Sequence, residues 1–480
     1  MRHQPKALII FFLTEMWERF GFYIVEGLLI LYMTHALSFS DGHAYQVLGE
    51  FSAFAYISPI LGGWIADNVL GFRFSIFLGA IILFFGYFSL VFNGHFLFVG
   101  LALIVVGNGL LKPNISSFLG HFYETDDSRR DAGFTIFYMG INLGVFFATT
   151  SIGFIQAHLG WYTTFATAAC GMLIGIVIFR YGYRFFENKG FPEDIVGKTT
   201  FLQYLFKKPL LILSLILGVL AAYALMLFAD FTNGLLIVVG SLLLIYLCYI
   251  AFKLNRVERN RMLACIILIA ISIVYWAVYM EVFFAVNLFT DRVVDRTIFG
   301  ITVPPIAFIS LETLFILLLG PLFARLWQHL SEAAHDFSTS LKFALALLFI
   351  GFAMQLLTVA IHSTSLGHLL SPLWMVGFYF ILTISEMLLS PIGLAMITDL
   401  SPPHYVGMMM GVWFMSTGFG SLLSGVLAQG ANIPEGVHKI SELSTIYGNT
   451  FQHFALLCFA GFAVALIFVP FINRLVRTTD

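Results

Sequence analysis

Charged residues are scarce in this 480-residue chain. Asp, Glu, Lys and Arg make up 10% of it and hydrophobic residues 60%, whereas a soluble domain carries roughly 25% charged residues. This composition excludes an ordinary soluble protein and indicates an integral membrane protein. The net charge of −2 says little about partners, because in a membrane protein the location of charges matters more than their sum.

Cysteine is also scarce, and its placement excludes two classes of site. The four cysteines lie in apolar segments with no close pair, at Cys170, Cys248, Cys265 and Cys458. Neither a disulfide framework nor a cysteine-based metal site fits this pattern. The 13 histidines are scattered without metal-ligand spacing, and no nucleophile motif of an enzyme is present. We therefore expect no enzymatic activity, no metal, no cofactor and no nucleic-acid partner.

Long apolar runs are abundant, and they predict an all-α membrane protein with fourteen spans. The predicted spans lie near residues 7–34, 45–66, 74–92, 95–120, 133–157, 161–182, 209–229, 233–252, 262–289, 305–328, 339–361, 371–397, 405–429 and 452–473. Hydrophilic connections divide them into six, two and six. This predicts an N-terminal six-helix bundle (1–182), linkers with a two-helix insertion (183–261) and a C-terminal six-helix bundle (262–480). Two related six-helix bundles are typical of transporters with a site at the membrane midplane between the halves.

Lys and Arg are distributed unevenly over the predicted loops, which predicts the orientation of the chain. If the N-terminus is inside, the outer loops contain only Arg292, Arg296 and Lys439. The even number of spans then places both termini in the cytoplasm.

The first span carries charges well inside its ends. Glu15, Glu18, Arg19, Tyr23 and Glu26 fall on one face of the predicted helix. Each charged side chain at the centre of a spanning helix costs about 2.5–3.5 kcal/mol. We therefore expect this face to line a wet cavity.

Further polar residues lie inside later spans. Lys112 lies beside Pro113 in the fourth span, about eight residues or roughly 12 Å from its end; a functional cation is expected, and snorkelling to the interface is the alternative. Single acids occur in the seventh, eighth and tenth core-bundle spans, at Glu281, Glu312 and Glu386. A lone acid in a membrane span is a functional candidate by default. Asn142 in the fifth span fits either a binding role or simple contact between helices.

A cytoplasmic turn after the second span combines glycines with opposite charges. Gly62 and Gly63 precede Asp67, and Gly71 precedes Arg73. Small residues let helices approach closely, and a charge pair can form and break as they slide. We expect Asp67 and Arg73 to act in gating; a plain positive-inside turn is the alternative.

Six motifs, in order along the chain, resemble one transporter family. They are Glu15-x-x-Glu18-Arg19-Phe20, Gly63-Trp64-Ile65-Ala66-Asp67, Lys112-Pro113-Asn114, Phe137-Tyr138-x-x-Ile141-Asn142-x-Gly144, Glu386-x-x-x-Ser390-Pro391-x-Gly393-Leu394 and Met410-Gly411-x-Trp413-Phe414. Over nearly its whole length the chain resembles the proton-coupled oligopeptide transporters (POT family) of the major facilitator superfamily, as found in bacteria. The resemblance implies the major facilitator fold, with two extra helices between the halves, in the cell's inner membrane.

The resemblance also implies roles for individual residues. Glu15, Glu18, Arg19 and Lys112 correspond to the family's proton-coupling cluster, in which the basic pair binds the peptide carboxylate. Glu386 corresponds to the acid that takes the peptide's amino group, assisted by Asn142. The pocket walls implied are Tyr23, Tyr56, Trp413 and Phe414. We add Glu26, Glu281 and Glu312 as candidate substrate-binding residues, and Glu281 and Glu386 as proton-coupling residues.

The chain departs from the family pattern at several pocket positions. Glu26 stands where most members carry a second arginine, and Met280 stands at the family's seventh-helix acid, with Glu281 one residue later. Glu312 aligns with a pocket asparagine, and Gly49 with a histidine of animal members. The family's outer charge pair is therefore rebuilt or absent here.

With these departures, the candidate residues include six acids and two bases. If all of them were ionised, their net charge would be −4, which is strongly unfavourable in a low-dielectric cleft. We expect either more than one bound proton per cycle or a preference for cationic peptides, amino acids or amines. The predicted function is proton-coupled import of di- and tripeptides or related small molecules by alternating access, by a monomer in the lipid bilayer. The alternatives are a proton-driven carrier of a cationic amino acid, amine or other non-peptide solute, and a membrane sensor that binds without transport.

Overall fold

The computed structural model describes residues 4–92, 94–124, 129–186, 189–192, 201–332, 337–364 and 367–477. Helices dominate these ranges. The α-helices are α1 Ala7–Leu31, α2 Asp41–Ile65, α3 Gly71–Ser89, α4 Leu97–Gly120, α5 Arg130–Gly182, α6 Phe201–Phe206, α7 Pro209–Leu227, α8 Ala229–Lys253, α9 Arg256–Tyr279, α10 Ala285–Val293, α11 Ser310–Glu332, α12 Thr339–Ser363, α13 Leu373–Leu400, α14 Val406–Leu427 and α15 Ile440–Val476. The strands β1 Thr297–Ile298 and β2 Ile301–Thr302 form a short antiparallel hairpin.

Most predicted spans coincide with these helices. Within the described residues, 11 helical stretches are long and apolar enough to cross a membrane. One of them contains both α2 and α3, and another contains α5, which kinks at Gly160 (φ 78°). Helix α1 lies outside this set because it carries Glu15, Glu18, Arg19 and Glu26. The all-helical membrane fold is confirmed, and the number of fourteen crossings stays a prediction.

Contacts divide the chain into two compact units. Unit 1 contains residues 1–32 and 54–229, and unit 2 contains residues 33–53 and 230–480. Helix α2 contributes its first half to unit 2 and its second half to unit 1, and α7 and α8 also belong to different units. The domain limits expected from the sequence remain a prediction.

In unit 1, small residues bring helices into backbone contact. A Cβ added to Gly62 of α2 would lie 1.9 Å from the carbonyl oxygen of Gly109 in α4, so any side chain at this position would separate the two helices. The amide of Asn114 donates to the Gly62 carbonyl oxygen at 3.1 Å, which fixes the same contact with a hydrogen bond. The polar residues of α4 are thereby held next to α2.

In unit 2, α14 packs closely on α9 and on the first half of α2. A Cβ on Gly420 would lie 2.3 Å from the Trp276 side chain, and one on Gly425 would lie 2.8 Å from the Tyr45 carbonyl oxygen. These glycines let α14 lie directly against both helices, since no side chain intervenes.

The seventh predicted core-bundle span is broken in the structure. Helix α9 ends at Tyr279, a 3₁₀ turn covers Met280–Val282, and α10 begins at Ala285. Neither proline nor glycine lies in 280–284, so the sequence gives no sign of this break. Broken helices are tolerated inside membranes where other groups satisfy the freed backbone.

Candidate functional site

Arg19 is the centre of a buried polar cluster in unit 1. Its guanidinium donates two hydrogen bonds to the Glu18 carboxylate, one of them from Nη2 to Oε1 at 2.6 Å. Nη2 also donates to Asn108 Oδ1 at 3.0 Å, and Nε lies 3.4 Å from Glu15 Oε1. A two-fold bond between a guanidinium and a carboxylate is among the strongest polar contacts in proteins. This cluster satisfies most of the donors of Arg19.

Asn108 is a positioning residue that the sequence interpretation did not single out. Its amide nitrogen donates to the Ala55 carbonyl oxygen at 2.7 Å while its oxygen accepts from Arg19. One side chain of α4 thus ties α1 to α2. The available signal was its spacing, because Asn108 lies one turn before Lys112 on the same helix face.

Lys112 has a different environment from Arg19. Its ammonium lies 4.6 Å from the ring centroid of Tyr56 and 5.9 Å from that of Phe22. Within the described residues, no carboxylate lies within ion-pair distance of Lys112 and no hydrogen bond to its ammonium is formed. Aromatic faces attract a cation without neutralising it. Lys112 can therefore accept an anionic partner.

The other candidates of unit 1 differ in burial and in their contacts. Tyr23 and Tyr56 are half-buried and Glu26 is fully buried. The Asn142 amide donates to the Tyr138 carbonyl oxygen at 3.0 Å, a bond within its own helix. Local bonding of this kind is common for an amide in a membrane helix, so a ligand role for Asn142 stays a prediction.

Arg73 binds the chain that follows α5. Its guanidinium donates to the carbonyl oxygens of Phe186 and Lys189 and lies 4.2 Å from the ring centroid of Phe191. Asp67 is exposed, and in the described part of the chain no ion pair joins it to Arg73. The expected charge pair is thus not formed in this conformation. Main-chain carbonyls leave no sequence signature, which is why these partners were not predicted.

Gly71 makes the anchoring of Arg73 possible. Its φ is 65°, a region that favours glycine, and a Cβ there would lie 2.5 Å from the Pro192 nitrogen. The chain after α5 can approach the start of α3 only because this side chain is absent.

Unit 2 brings two of the predicted acids together. The Tyr279 hydroxyl of α9 donates to the Glu312 carboxyl of α11, and the Glu312 and Glu386 carboxyl groups lie within hydrogen-bonding reach of each other. Ser390 Oγ lies 3.5 Å from Glu386 Oε1. Among the described residues, no Lys, Arg or His forms an ion pair with either acid. Tyr279 was not predicted, because nothing in a sequence tells which tyrosine turns toward an acid on another helix.

Glu281 lies at the break between α9 and α10. Its Oε2 accepts from the Ala285 backbone N–H at 3.3 Å, and its Oε1 accepts from Ser424 Oγ of α14 at 2.9 Å. The side chain therefore caps the start of α10, where backbone donors lack helical partners. This contact gives Glu281 a structural role; its expected part in proton coupling and substrate binding stays a prediction.

The two aromatic candidates of α14 differ in exposure. Trp413 is 3% exposed and packs on Gly393, where a Cβ would lie 2.1 Å from the indole ring, whereas Phe414 is 39% exposed. Trp413 thus supports α13, the helix that carries Glu386. Its contact with a ligand remains a prediction.

A group of charges at the start of α2 was not predicted as a site. Arg292 Nη1 and Nη2 donate to the two Asp41 oxygens at 2.6 and 2.8 Å. Arg296 Nη2 lies 3.1 Å from Asp291 Oδ1, and His35 Nε2 lies 3.1 Å from Asp291 Oδ2. These contacts hold the segment 33–53 within unit 2. Their sequence signal was the presence of opposite charges beside the second predicted span and the seventh core-bundle span (262–289).

The geometry defines a class of protein. Multiple apolar helices, buried acids and bases, a broken helix and backbone contacts between glycines are the features of a multi-pass membrane transporter. Among the described residues, no group of three His, Cys, Asp or Glu side chains is placed to hold a metal ion.

Comparison with known proteins gives the family. Residues 73–443 match the model of the POT family (PTR2). The chain belongs to the POT family of bacterial transporters in the major facilitator superfamily.

Similar proteins span nearly the whole chain. Dipeptide and tripeptide permease A of Salmonella typhimurium is 30% identical and permease B of Aeromonas hydrophila is 32% identical, each over 99% of this chain and 94% of the relative. A crystal structure of the peptide transporter POT with sulfate has 31% identity and a TM-score of 0.83, covering 99% of this chain and 96% of that one. A POT family transporter in complex with 5-aminolevulinic acid has 27% identity and a TM-score of 0.83, covering 98% and 97%. The expected fold and family are confirmed.

Proposed function

We propose that this protein is a symporter that imports di- and tripeptides together with protons by alternating access. The observation that carries the proposal is Lys112, a cation held over aromatic rings within the membrane with no described carboxylate in ion-pair distance. A peptide supplies the missing partner through its terminal carboxylate. The names of the relatives, dipeptide and tripeptide permeases, support the same substrate class.

The other end of a peptide is an ammonium group, which needs an anion. Glu312 and Glu386 of unit 2 supply carboxyl oxygens with hydroxyl partners and no basic partner. These carboxyl groups can bind the terminal ammonium of a peptide. Glu15 and Glu18, which already contact Arg19, would take up protons when a substrate carboxylate competes for the basic residues.

The test is uptake by purified protein in proteoliposomes. With the interior alkaline, labelled Ala-Ala should accumulate above its external concentration, and a protonophore should abolish the accumulation. The competitors should include neutral dipeptides, dipeptides with Lys or Arg, and diamines. Equal uptake with and without the pH gradient would contradict the proposal.

A second candidate is a proton-driven carrier of a cationic amino acid or amine. It is favoured by the membrane-embedded acids of unit 2, since Glu281, Glu312 and Glu386 have no basic partner among the described residues. Competition by diamines without competition by dipeptides would identify this function.

We further propose that the protein lies in the cell's inner membrane with both termini in the cytoplasm. Thiol labelling of single cysteines introduced at either end, in intact and in opened cells, tests this orientation. We expect a monomer, although one solved relative, PepTSo2, is tetrameric; light scattering of the purified protein measures the oligomeric state.

A further inference from the structure

The carboxyl pair of Glu312 and Glu386 carries an inference that rests on the proposed function and refines it. Glu312 is 6% exposed and its carboxyl accepts the Tyr279 hydroxyl. Glu386 Oε2 is buried and receives no hydrogen bond from a described donor. Two carboxyl groups can hydrogen-bond to each other only if one of them carries a proton. A hydrogen bond between Glu312 and Glu386 therefore requires one proton on the pair.

Among the described residues, no basic side chain neutralises the pair. The ionisable groups that interact with it in this part of the chain are Tyr275 and Tyr279 of α9 and Tyr379 of α13. Tyr275 itself is hydrogen-bonded to Ser385 at 3.1 Å. With both acids ionised, the pair would carry a charge of −2 in a low-dielectric environment, and repulsion between like charges opposes that state. Each carboxyl group of the pair that ionises therefore needs one positive charge bound next to it.

We propose that the Glu312–Glu386 pair binds two positive charges in every loaded transporter. With a peptide whose only cation is its terminal ammonium, the second charge is a proton shared by the carboxyl groups. With a peptide whose first residue is Lys or Arg, the side-chain cation replaces the shared proton. That proton is released to the solution on the side of the membrane from which the substrate binds. The total charge carried per substrate is then the same for both peptides, and the number of protons differs by one.

Three dipeptides separate this proposal from a general effect of substrate charge. Ala-Ala has no side-chain cation, Lys-Ala has one beside the terminal ammonium, and Ala-Lys has one at the other residue. Proteoliposomes with a fixed pH gradient and a clamped membrane potential give the proton-to-peptide ratio from the peptide gradient at which net flux is zero. We expect Lys-Ala to require one proton fewer than Ala-Ala, and Ala-Lys to require the same number as Ala-Ala.

The variant Glu312→Gln tests the residue itself. Glutamine keeps the size and an oxygen that accepts from Tyr279, but it removes one ionisable group. We expect the ratio for Ala-Ala to fall by one proton and to equal that for Lys-Ala, and the preference for Lys-Ala over Ala-Ala to fall about tenfold. The matched control is Glu442→Gln, the same change at an exposed acid that contacts Lys439, which should leave both ratios at their wild-type values.

The outcomes distinguish the two proposals. If wild-type protein transports all three peptides with one ratio, or if Glu312→Gln keeps the difference between Lys-Ala and Ala-Ala, the carboxyl-pair inference is wrong while peptide symport stands. If no peptide is transported, the proposed function itself fails. The wild-type comparison needs no variant, so it decides the inference even if Glu312→Gln does not fold.

Discussion

Buried charge is balanced differently in the two units. In unit 1, Glu18 shares a two-fold bond with Arg19, and Glu15 lies beside the same guanidinium. In unit 2, Glu312 and Glu386 have only hydroxyl groups and each other as described partners. Glu15 and Glu18 thus share a basic partner, whereas Glu312 and Glu386 have none among the described residues. Lys112 of unit 1 is therefore suited to an anionic group, and the acids of unit 2 are suited to a proton or a cationic group.

The largest expected effect comes from removing the cation of unit 1. Lys112→Gln should lower peptide uptake by a factor of about 100, since removing one partner of a buried charge pair costs about 3 kcal/mol or more. Uptake by purified protein in proteoliposomes measures it. Lys439→Gln, at an exposed lysine, is the matched control. Equal uptake by both variants would contradict the prediction that Lys112 binds the substrate carboxylate.

A smaller effect is expected from changing the shape of the paired cation. Arg19→Lys keeps the charge but cannot bond Glu18 in a two-fold manner and reach Asn108 as well. Losing one hydrogen bond between charged groups costs about 1.5–3 kcal/mol, so we expect uptake to fall roughly tenfold and the protein to unfold at a lower temperature. The exposed Arg477→Lys should change neither quantity. A wild-type unfolding temperature for Arg19→Lys would show that the two-fold bond is not needed.

The preference between substrates should respond to the charge of α1. Glu26→Arg adds a base to unit 1, and we expect it to favour neutral over cationic dipeptides by about fivefold, or ~1 kcal/mol. Competition between Ala-Ala and Lys-Ala for uptake measures this preference. Glu26→Gln, which removes the charge without reversing it, should fall between wild type and Glu26→Arg. An unchanged preference in both variants would count against a cationic bias set by the excess of acids.

The smallest effect is expected at the cap of α10. Ser424→Ala removes the donor to Glu281 Oε1, which should destabilise the protein by about 1–2 kcal/mol because a buried acceptor loses its bond. Thermal unfolding measures the change. Ser421→Ala on the same helix, whose hydroxyl bonds only within α14, is the control. Uptake that collapses while the unfolding temperature stays unchanged would assign Glu281 to proton coupling instead of the cap.

The sequence predicted well what depends on hydrophobic runs and helix faces. It predicted the clustering of Glu15, Glu18 and Arg19, because residues at these spacings share one face of a helix. It also singled out Lys112, because a lysine deep within a span is costly; the functional role of this residue stays a prediction. These predictions require only the number of residues per turn in a single helix.

The contacts that the sequence could not predict depend on how helices turn toward each other. The bond between Tyr279 and Glu312 joins two helices whose relative rotation no local pattern records. The break at Met280–Val282 contains no proline or glycine, so Glu281 could be recognised as an acid but not as a cap. Arg73 bonds main-chain oxygens, which every residue carries.

The cap formed by Glu281 connects several helices of unit 2. One carboxyl group bonds the first turn of α10 through Ala285 and bonds α14 through Ser424, so it joins the break in the seventh core-bundle span to α14. Since α14 also carries Trp413, which packs on Gly393 of α13, a continuous series of contacts leads from this break to the helix that bears Glu386.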